Sequence, residues 1–255
     1  MKLSPCIEWM FADEFSDMGD RVRAAKAAGF DQAEFHLWRD KDLDSVRAAL
    51  DDTGVQLTGI VVEPRRSIVD PAQHEEFLQA VRESIVTAKN LGSPPLVVAS
   101  GFTREGVSRQ EHVDAAISAL KQAATLAEEA GTLLLLEPLN DRVEHPGMFL
   151  VSTKLGLDIV EAVDSPNLRL LYDAYHSAVM DEDIEDVLAG RAHLVAHVQF
   201  ADNPGRNEPG TGTIDWESTV RALRDLGYKG AIGLEYKPTR PSDESLKLTR
   251  TTLGL

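Results

Sequence analysis

Four side chains with ligand-grade oxygens close four apolar runs in the second half of the chain. Glu137 follows LLLL, Asp173 follows LRLLY, Gln199 stands near the end of HLVAHVQF and Glu235 follows AIGL. From 137 to 173 to 199 to 235 the steps are 36, 26 and 36 residues, each close to one strand-helix repeat, so the four are expected side by side on one rim. An isolated carboxylate is costly to bury, and three converging ones repel each other unless a cation lies between them. Each acid could instead pair with a nearby Arg or Lys. A set of oxygens with no cysteine suits Mn²⁺ or Mg²⁺, with Co²⁺ as a further candidate, better than structural zinc.

Further polar groups surround this set. His176 comes three residues after Asp173, and His197 precedes Gln199 by two, which puts both side chains on one strand face. His197 is therefore read as a substrate contact or as a packed neighbour of the ligands. The segment ADNPGRNEPGTG (201–212) has the glycines and prolines of a shaped loop rather than a plain connector. Its only arginine, Arg206, offers a guanidinium for a carboxylate or polyol oxygen, or alternatively a partner for Glu208.

The elements that must position these residues follow from the apolar pattern. Eight short runs alternate with amphipathic segments: 3–9, 32–37, 55–62, 95–100, 132–137, 168–173, 193–200 and 231–236. Helical periodicity is clearest over 20–29, 71–92, 108–131 and 216–227. Gly29, Gly54, Gly92, Gly131 and Gly227 each stand where a helix should end before a strand begins. Runs such as TLLLLE are apolar on both faces, as parallel strands covered by helices must be. The 255 residues divide into eight units of about 32, which predicts a single-domain α/β fold spanning 1–255, a (β/α)8 TIM barrel with its chemistry at the C-terminal strand ends. An open doubly wound sheet is the alternative, but no glycine-rich phosphate turn follows the first run.

Composition excludes several classes. At 43% hydrophobic and 27% charged the chain is an ordinary globular one, and 26 Lys plus Arg against 42 Asp plus Glu leave a net charge of −16. That charge opposes binding to nucleic acid or to an anionic membrane. Cys6 is the only cysteine, so no intrachain disulfide forms. No run approaches the roughly 18 apolar residues of a membrane span. The expectation is a soluble cytoplasmic protein acting on a small molecule, with homo-oligomerisation left open.

The motifs E-P-L-N (137–140), Y-D-A-Y-H (172–176), the 197–212 segment and G-L-E-Y-K-P (233–238) resemble the hydroxypyruvate isomerase family, one of the xylose isomerase-like barrels, with sugar 3-epimerases as relatives. The resemblance implies Glu137, Asp173, Gln199 and Glu235 as metal ligands, Glu137 and Glu235 as the acid/base pair, and His176 and Arg206 as substrate contacts. Gln199 stands where ketose 3-epimerases generally carry histidine, which favours the hydroxypyruvate side. Thr213 replaces a common glutamate after G-T-G, and E-P-R-R-S-I-V-D-P (63–71) does not resemble the usual glycine- and tryptophan-containing loop. The residues and the resemblance together predict isomerisation of a small hydroxy-carbonyl acid, hydroxypyruvate or a 2-oxo-tetronate, through an enediolate. Ketose 3-epimerisation on the same groups is the first alternative, a dehydratase the next, and a sugar-acid binding protein without turnover the alternative from another class.

Overall fold

A computed structural model describes all 255 residues. Its strands are β1 (Lys2–Pro5), β2 (Gln32–Ala33), β3 (Gln56–Leu57), β4 (Ile60–Val61), β5 (Leu96–Ala99), β6 (Leu134–Glu137), β7 (Leu168–Asp173), β8 (Val195–Phe200) and β9 (Ala231–Leu234). Seven of them form a parallel sheet in the order β1-β9-β8-β7-β6-β5-β4, and β2 pairs with β3. β3 and β4 are two pieces of one stave, interrupted at Thr58 and Gly59, so nine strands make eight staves. Backbone bonds close the ring beyond the regular ladders. Glu34 N–H donates to the Pro5 carbonyl (3.0 Å), Ile7 N–H to Glu34 (2.8 Å), and Val61 N–H to His36 (2.9 Å). The expected TIM barrel is the observed fold, and each predicted run supplies one stave.

The helices cover the outside. α1 (Met18–Ala27), α2 (Leu43–Thr53), α3 (His74–Asn90), α4 (Arg109–Ala130) and α5 (Thr153–Val163) are followed by a broken pair, α6 (Ala174–Val179) and α7 (Ile184–Leu188), then by α8 (Trp216–Asp225) and α9 (Ser242–Leu253). Sequence dictates their ends. Ser108 caps α4 in a reciprocal box with Glu111, and Gly131 ends it at φ 67°, a left-handed conformation that a side chain would strain. The predicted helix over 71–92 begins instead as a 3-10 turn, Pro71–Gln73, opened by the Asp70 carboxylate, which accepts the Ala72 N–H at 3.2 Å.

Strand alternation separates two layers of core. Leu96, Leu134, Leu136, Leu168 and Leu170 join the large cluster packed against the helices. Val97, Leu135 and Leu171 form a small plug inside the ring. Glu137 continues the parity of Leu135, and Asp173 that of Leu171, so each carboxylate points into the barrel just above the plug. β8 reaches the same phase through an irregularity: Leu170 pairs with Val195 but Leu171 with His197. The slip leaves His197 and Gln199 facing inward and Val198 and Phe200 outward, against the helices.

Candidate active site

β6, β7, β8 and β9 are neighbours, so Glu137, Asp173, Gln199 and Glu235 stand on consecutive staves as the spacing predicts. Asp173 is opposite Gln199, and Gln199 opposite Gly233. Asp173 serves two elements at once. Its Oδ1 accepts the N–H groups of Tyr175 (2.7 Å) and His176 (3.2 Å), capping α6, while the buried Oδ2 has no hydrogen-bond partner. Gln199 is fixed in the same way. Its Nε2 donates to Glu34 Oε1 (2.9 Å), which turns the carbonyl Oε1 the other way, buried and unpartnered.

Glu34 is the residue that sequence reasoning missed. Buried at 2% exposure, it accepts from Gln199, from His197 Nε2 (2.7 Å) and from the Thr58 hydroxyl (3.1 Å). The signal is present in QAEFHL (32–37), where alternation places Glu34 and His36 on one face between apolar neighbours. Gly233 makes room for it, because a Cβ there would lie 2.4 Å from Glu34 Oε1. His197 thus binds a carboxylate in the barrel wall, as a packed neighbour would, and it also lines the cavity described below.

His176 has a fixed tautomer. The Asn140 amide oxygen accepts from Val143 N (2.9 Å) and Glu144 N (3.2 Å), so its Nδ2 faces His176 Nδ1 at 2.7 Å. The Asn140 backbone N–H donates to the same nitrogen at 3.1 Å. Two donors on Nδ1 leave the ring proton on Nε2. Nε2 lies 3.7 Å from Asp173 Oδ2 and 3.9 Å from Glu137 Oε1, beyond hydrogen-bond range, and has no partner. Ligand atoms of Glu137, Asp173 and His176 lie within 4.8 Å of one another. With its proton on Nε2 the imidazole presents a donor to an oxygen at this point, which leaves the carboxylate and amide oxygens as the groups that could hold a cation.

Arg206 occupies the place expected of a counter-cation. Its backbone is left-handed (φ 55°), in a turn where its N–H donates to the Asp202 carbonyl (3.0 Å), and the guanidinium points inward. It reaches Glu235 Oε2 at 2.8 Å and Glu144 Oε2 at 3.1 Å. The alternative pairing with Glu208 is not formed, since Glu208 takes Thr239 and Arg240 instead. Both terminal nitrogens of Arg206 are thus engaged with carboxylates, while its Nε is buried without a partner and the side chain lines the cavity. Thr213 is exposed at the back of this loop, where its hydroxyl donates to Asn203 (2.9 Å), and lines no part of the cavity.

The electrostatics split the acids. Burial, reinforced by Glu235, pushes both Glu137 and Asp173 well above the usual carboxylate range. Burial also works on Glu235, but Arg206 and His36, the latter at 2.7 Å, outweigh it and hold Glu235 well below that range. Burial and the Arg206 charge keep His176 neutral. Glu137, His176, Arg206 and Glu235 line a cavity of about 290 Å³, walled further by Glu8, Trp9 and His36, while Asp173 is buried next to them without reaching its wall. The unpartnered buried oxygens of Asp173 and Gln199, beside repelling carboxylates, fit a divalent cation preferring oxygen ligands.

Residues 22–252 match the family described as xylose isomerase-like TIM barrel. The chain belongs to that family. A Streptomyces coelicolor protein provisionally named a hydroxypyruvate isomerase is 35% identical over 86% of this chain and 85% of its own. The hydroxypyruvate isomerase of Escherichia coli K12 is 30% identical over 89% and 90%, and a 2-oxo-tetronate isomerase of Cupriavidus necator 28% over 92% and 93%. Similarity of this extent to named isomerases makes the chain an isomerase. Among solved structures, a Brucella melitensis protein named AP endonuclease, family 2, superposes with a TM-score of 0.90 at 28% identity, covering 98% of this chain and 99% of that one. A Clostridium cellulolyticum H10 D-psicose 3-epimerase does so at 0.81, with 19% identity and 99% of each chain covered, and shares the fold.

Proposed function

We propose that this isomerase interconverts a small 2-oxo-3-hydroxy acid, of the hydroxypyruvate or 2-oxo-tetronate class, with its 2-hydroxy-3-oxo isomer, and that it needs a divalent cation, Mn²⁺ or Mg²⁺. The observation that carries the reading is the pair Glu137 and Glu235 on β6 and β9, with the unpartnered oxygens of Asp173 and Gln199 on the staves between them. Those four would hold the cation. When bound it supplies Lewis-acid stabilisation of negative charge on the substrate carbonyl and hydroxyl oxygens.

The chain's own groups divide the proton transfer. Isomerisation removes a proton from the hydroxyl-bearing carbon and places one on the former carbonyl carbon, which needs one base and one acid. In the metal-free protein Glu137 is biased toward the protonated form and Glu235 toward the ionised form, and environments that push two carboxylates apart in this way mark an acid/base pair. His176 Nε2–H is oriented by Asn140 to donate to a substrate oxygen that acquires charge. A nuclease reading, suggested by the name of the Brucella melitensis neighbour, fits poorly with a net charge of −16 and a cavity lined by Glu8, Glu34, Glu137 and Glu235.

The test is a substrate panel with Mg²⁺ or Mn²⁺ added: hydroxypyruvate, the four-carbon 2-oxo acid and D-fructose. The expected result is the highest kcat/KM on one of the two acids. A preference for fructose would replace the assignment with 3-epimerisation on the same groups, and saturable binding of the acids without exchange of the carbon-bound proton would replace it with a binding protein.

A further inference from the structure

The 63–71 segment, which departs from the family pattern, walls a second cavity beside the first. At about 540 Å³ it is the larger of the two, and they share Val61, Val97, Ala99 and Leu139 as well as Arg65 and His145. Their polarities are opposed. The first gathers carboxylates, whereas the second is lined by Arg65, Arg66 and Arg104 with Asp70 as its one acid. Two of these arginines are already neutralised: Arg66 by Glu76, and Arg104 by Asp70 at 3.4 Å. Arg65 makes no ion pair and no side-chain hydrogen bond, and it stands at the partition between the cavities. It is near enough for its charge to lower the basicity of His145, after burial and Arg206 have done so.

We propose that Arg65, and not Arg206, receives the carboxylate of the substrate, an inference that rests on the acid-isomerase reading above. A carboxylate placed toward Glu144 and Glu235 would meet like charge, and both terminal nitrogens of Arg206 are committed to those two, leaving only its buried Nε without a partner. Turned the other way, past Leu139 and His145, the acid end meets an unpaired guanidinium. The substrate then lies with its reacting carbons between Glu137 and Glu235 and its carboxylate at the basic partition. Arg65 is a specificity residue in this arrangement, since a neutral compound with the same hydroxy-ketone unit has nothing for it to hold.

Steady-state kinetics of the Mg²⁺-loaded wild type, Arg65→Gln and Arg65→Lys test this with two three-carbon hydroxy-ketones, hydroxypyruvate and dihydroxyacetone, which differ in carboxylate against hydroxymethyl. Loss of a charge-assisted contact is expected to raise KM for hydroxypyruvate by about 10-fold or more in Arg65→Gln, with kcat changed far less. Arg65→Lys should fall between, because an ammonium keeps the charge but not the fork. KM for dihydroxyacetone should stay within about 2-fold of wild type in both variants, as the lost contact is worth nothing to a neutral ligand. Unchanged KM for hydroxypyruvate in Arg65→Gln, or equal losses on both compounds, would overturn the proposal. Calorimetric titration with pyruvate, an acid that cannot isomerise, separates the two readings. If wild type binds pyruvate without isomerising any hydroxy acid, the function is wrong while the ratio of Kd values between wild type and Arg65→Gln still decides Arg65. If wild type binds neither acid, the proposal falls as well.

Discussion

Glu34→Ala removes the carboxylate that holds one side of the site in register, and its cost follows from the bonds it breaks. His197 Nε2 and Gln199 Nε2 lose their acceptor in a wholly buried place, whereas Thr58 keeps Ser4 at 2.7 Å and is not orphaned. Each stranded donor costs about 1–3 kcal/mol, so the variant should be less stable by roughly 2–6 kcal/mol. For a chain of this length that is a fall in Tm of about 2–4 °C per kcal/mol, around 10 °C in all. A second effect is separable from the first. With its Nε2 released, the Gln199 carbonyl is no longer aimed at the cation, and loss of such a supporting contact weakens metal binding by about 10–100-fold. Thermal unfolding of the chelated protein reads the first effect, and calorimetric titration of the same protein with Mn²⁺ reads the second. A wild-type Tm together with wild-type Mn²⁺ affinity would refute the reasoning, and a lowered Tm with unchanged affinity would reduce Glu34 to a packing residue.

Gly233→Ala should reproduce both losses without touching a polar group, because its Cβ would lie within 2.4 Å of Glu34 Oε1, and a Tm and Mn²⁺ titration equal to wild type would count against that. Glu137→Gln and Glu235→Gln each keep an oxygen near the cation but remove a proton carrier, so kcat on the preferred acid should fall by at least about 100-fold in either, measured under saturating Mg²⁺. The pH dependence of stability has a definite sign. Glu137 and Asp173 carry pKa values raised above their unfolded ones, so their contribution is full below the ordinary carboxylate value of about 4 and is lost as pH rises through the folded values. Glu235 is depressed, and its contribution is lost only below that range. Tm of the chelated protein should therefore fall as pH rises above the ordinary carboxylate range, and Mn²⁺ should restore it most at the higher pH, since binding displaces protons. A scanning-fluorimetry series with and without Mn²⁺ checks this.

The second half of the barrel is readable from sequence because each of its strands is a largely apolar run with a polar residue at or next to its C-terminal end; LRLLYD is β7 residue for residue. The first half is harder for a physical reason. β2 and β3 are two residues each, and beyond their short ladder the ring is closed there by single bonds around Glu34 and His36, so the runs at 32–37 and 55–62 mark the staves but no strand end marks their polar residues. Glu34 sits inside a run and not at its end, which hides it from a search for strand-terminal ligands. His36, which pairs with Glu235 at 2.7 Å, is hidden in the same run. The role of Arg206 escapes a sequence reading because its partners, Glu144 and Glu235, lie 62 and 29 residues away and only the closed barrel brings them to it. The supporting shell of a site is set by tertiary proximity, while its strand-end ligands are set by periodicity.

The central claim, cation-dependent proton transfer on a hydroxy-keto acid, is tested most directly by one NMR experiment in D₂O. Chelated protein is incubated with hydroxypyruvate, and Mg²⁺ is then added to the same tube. The account predicts no conversion before the addition and, after it, formation of the 2-hydroxy-3-oxo isomer carrying deuterium at the former carbonyl carbon. Full conversion by the chelated protein, or a product in which the original hydrogen has moved intact between the two carbons, would contradict it.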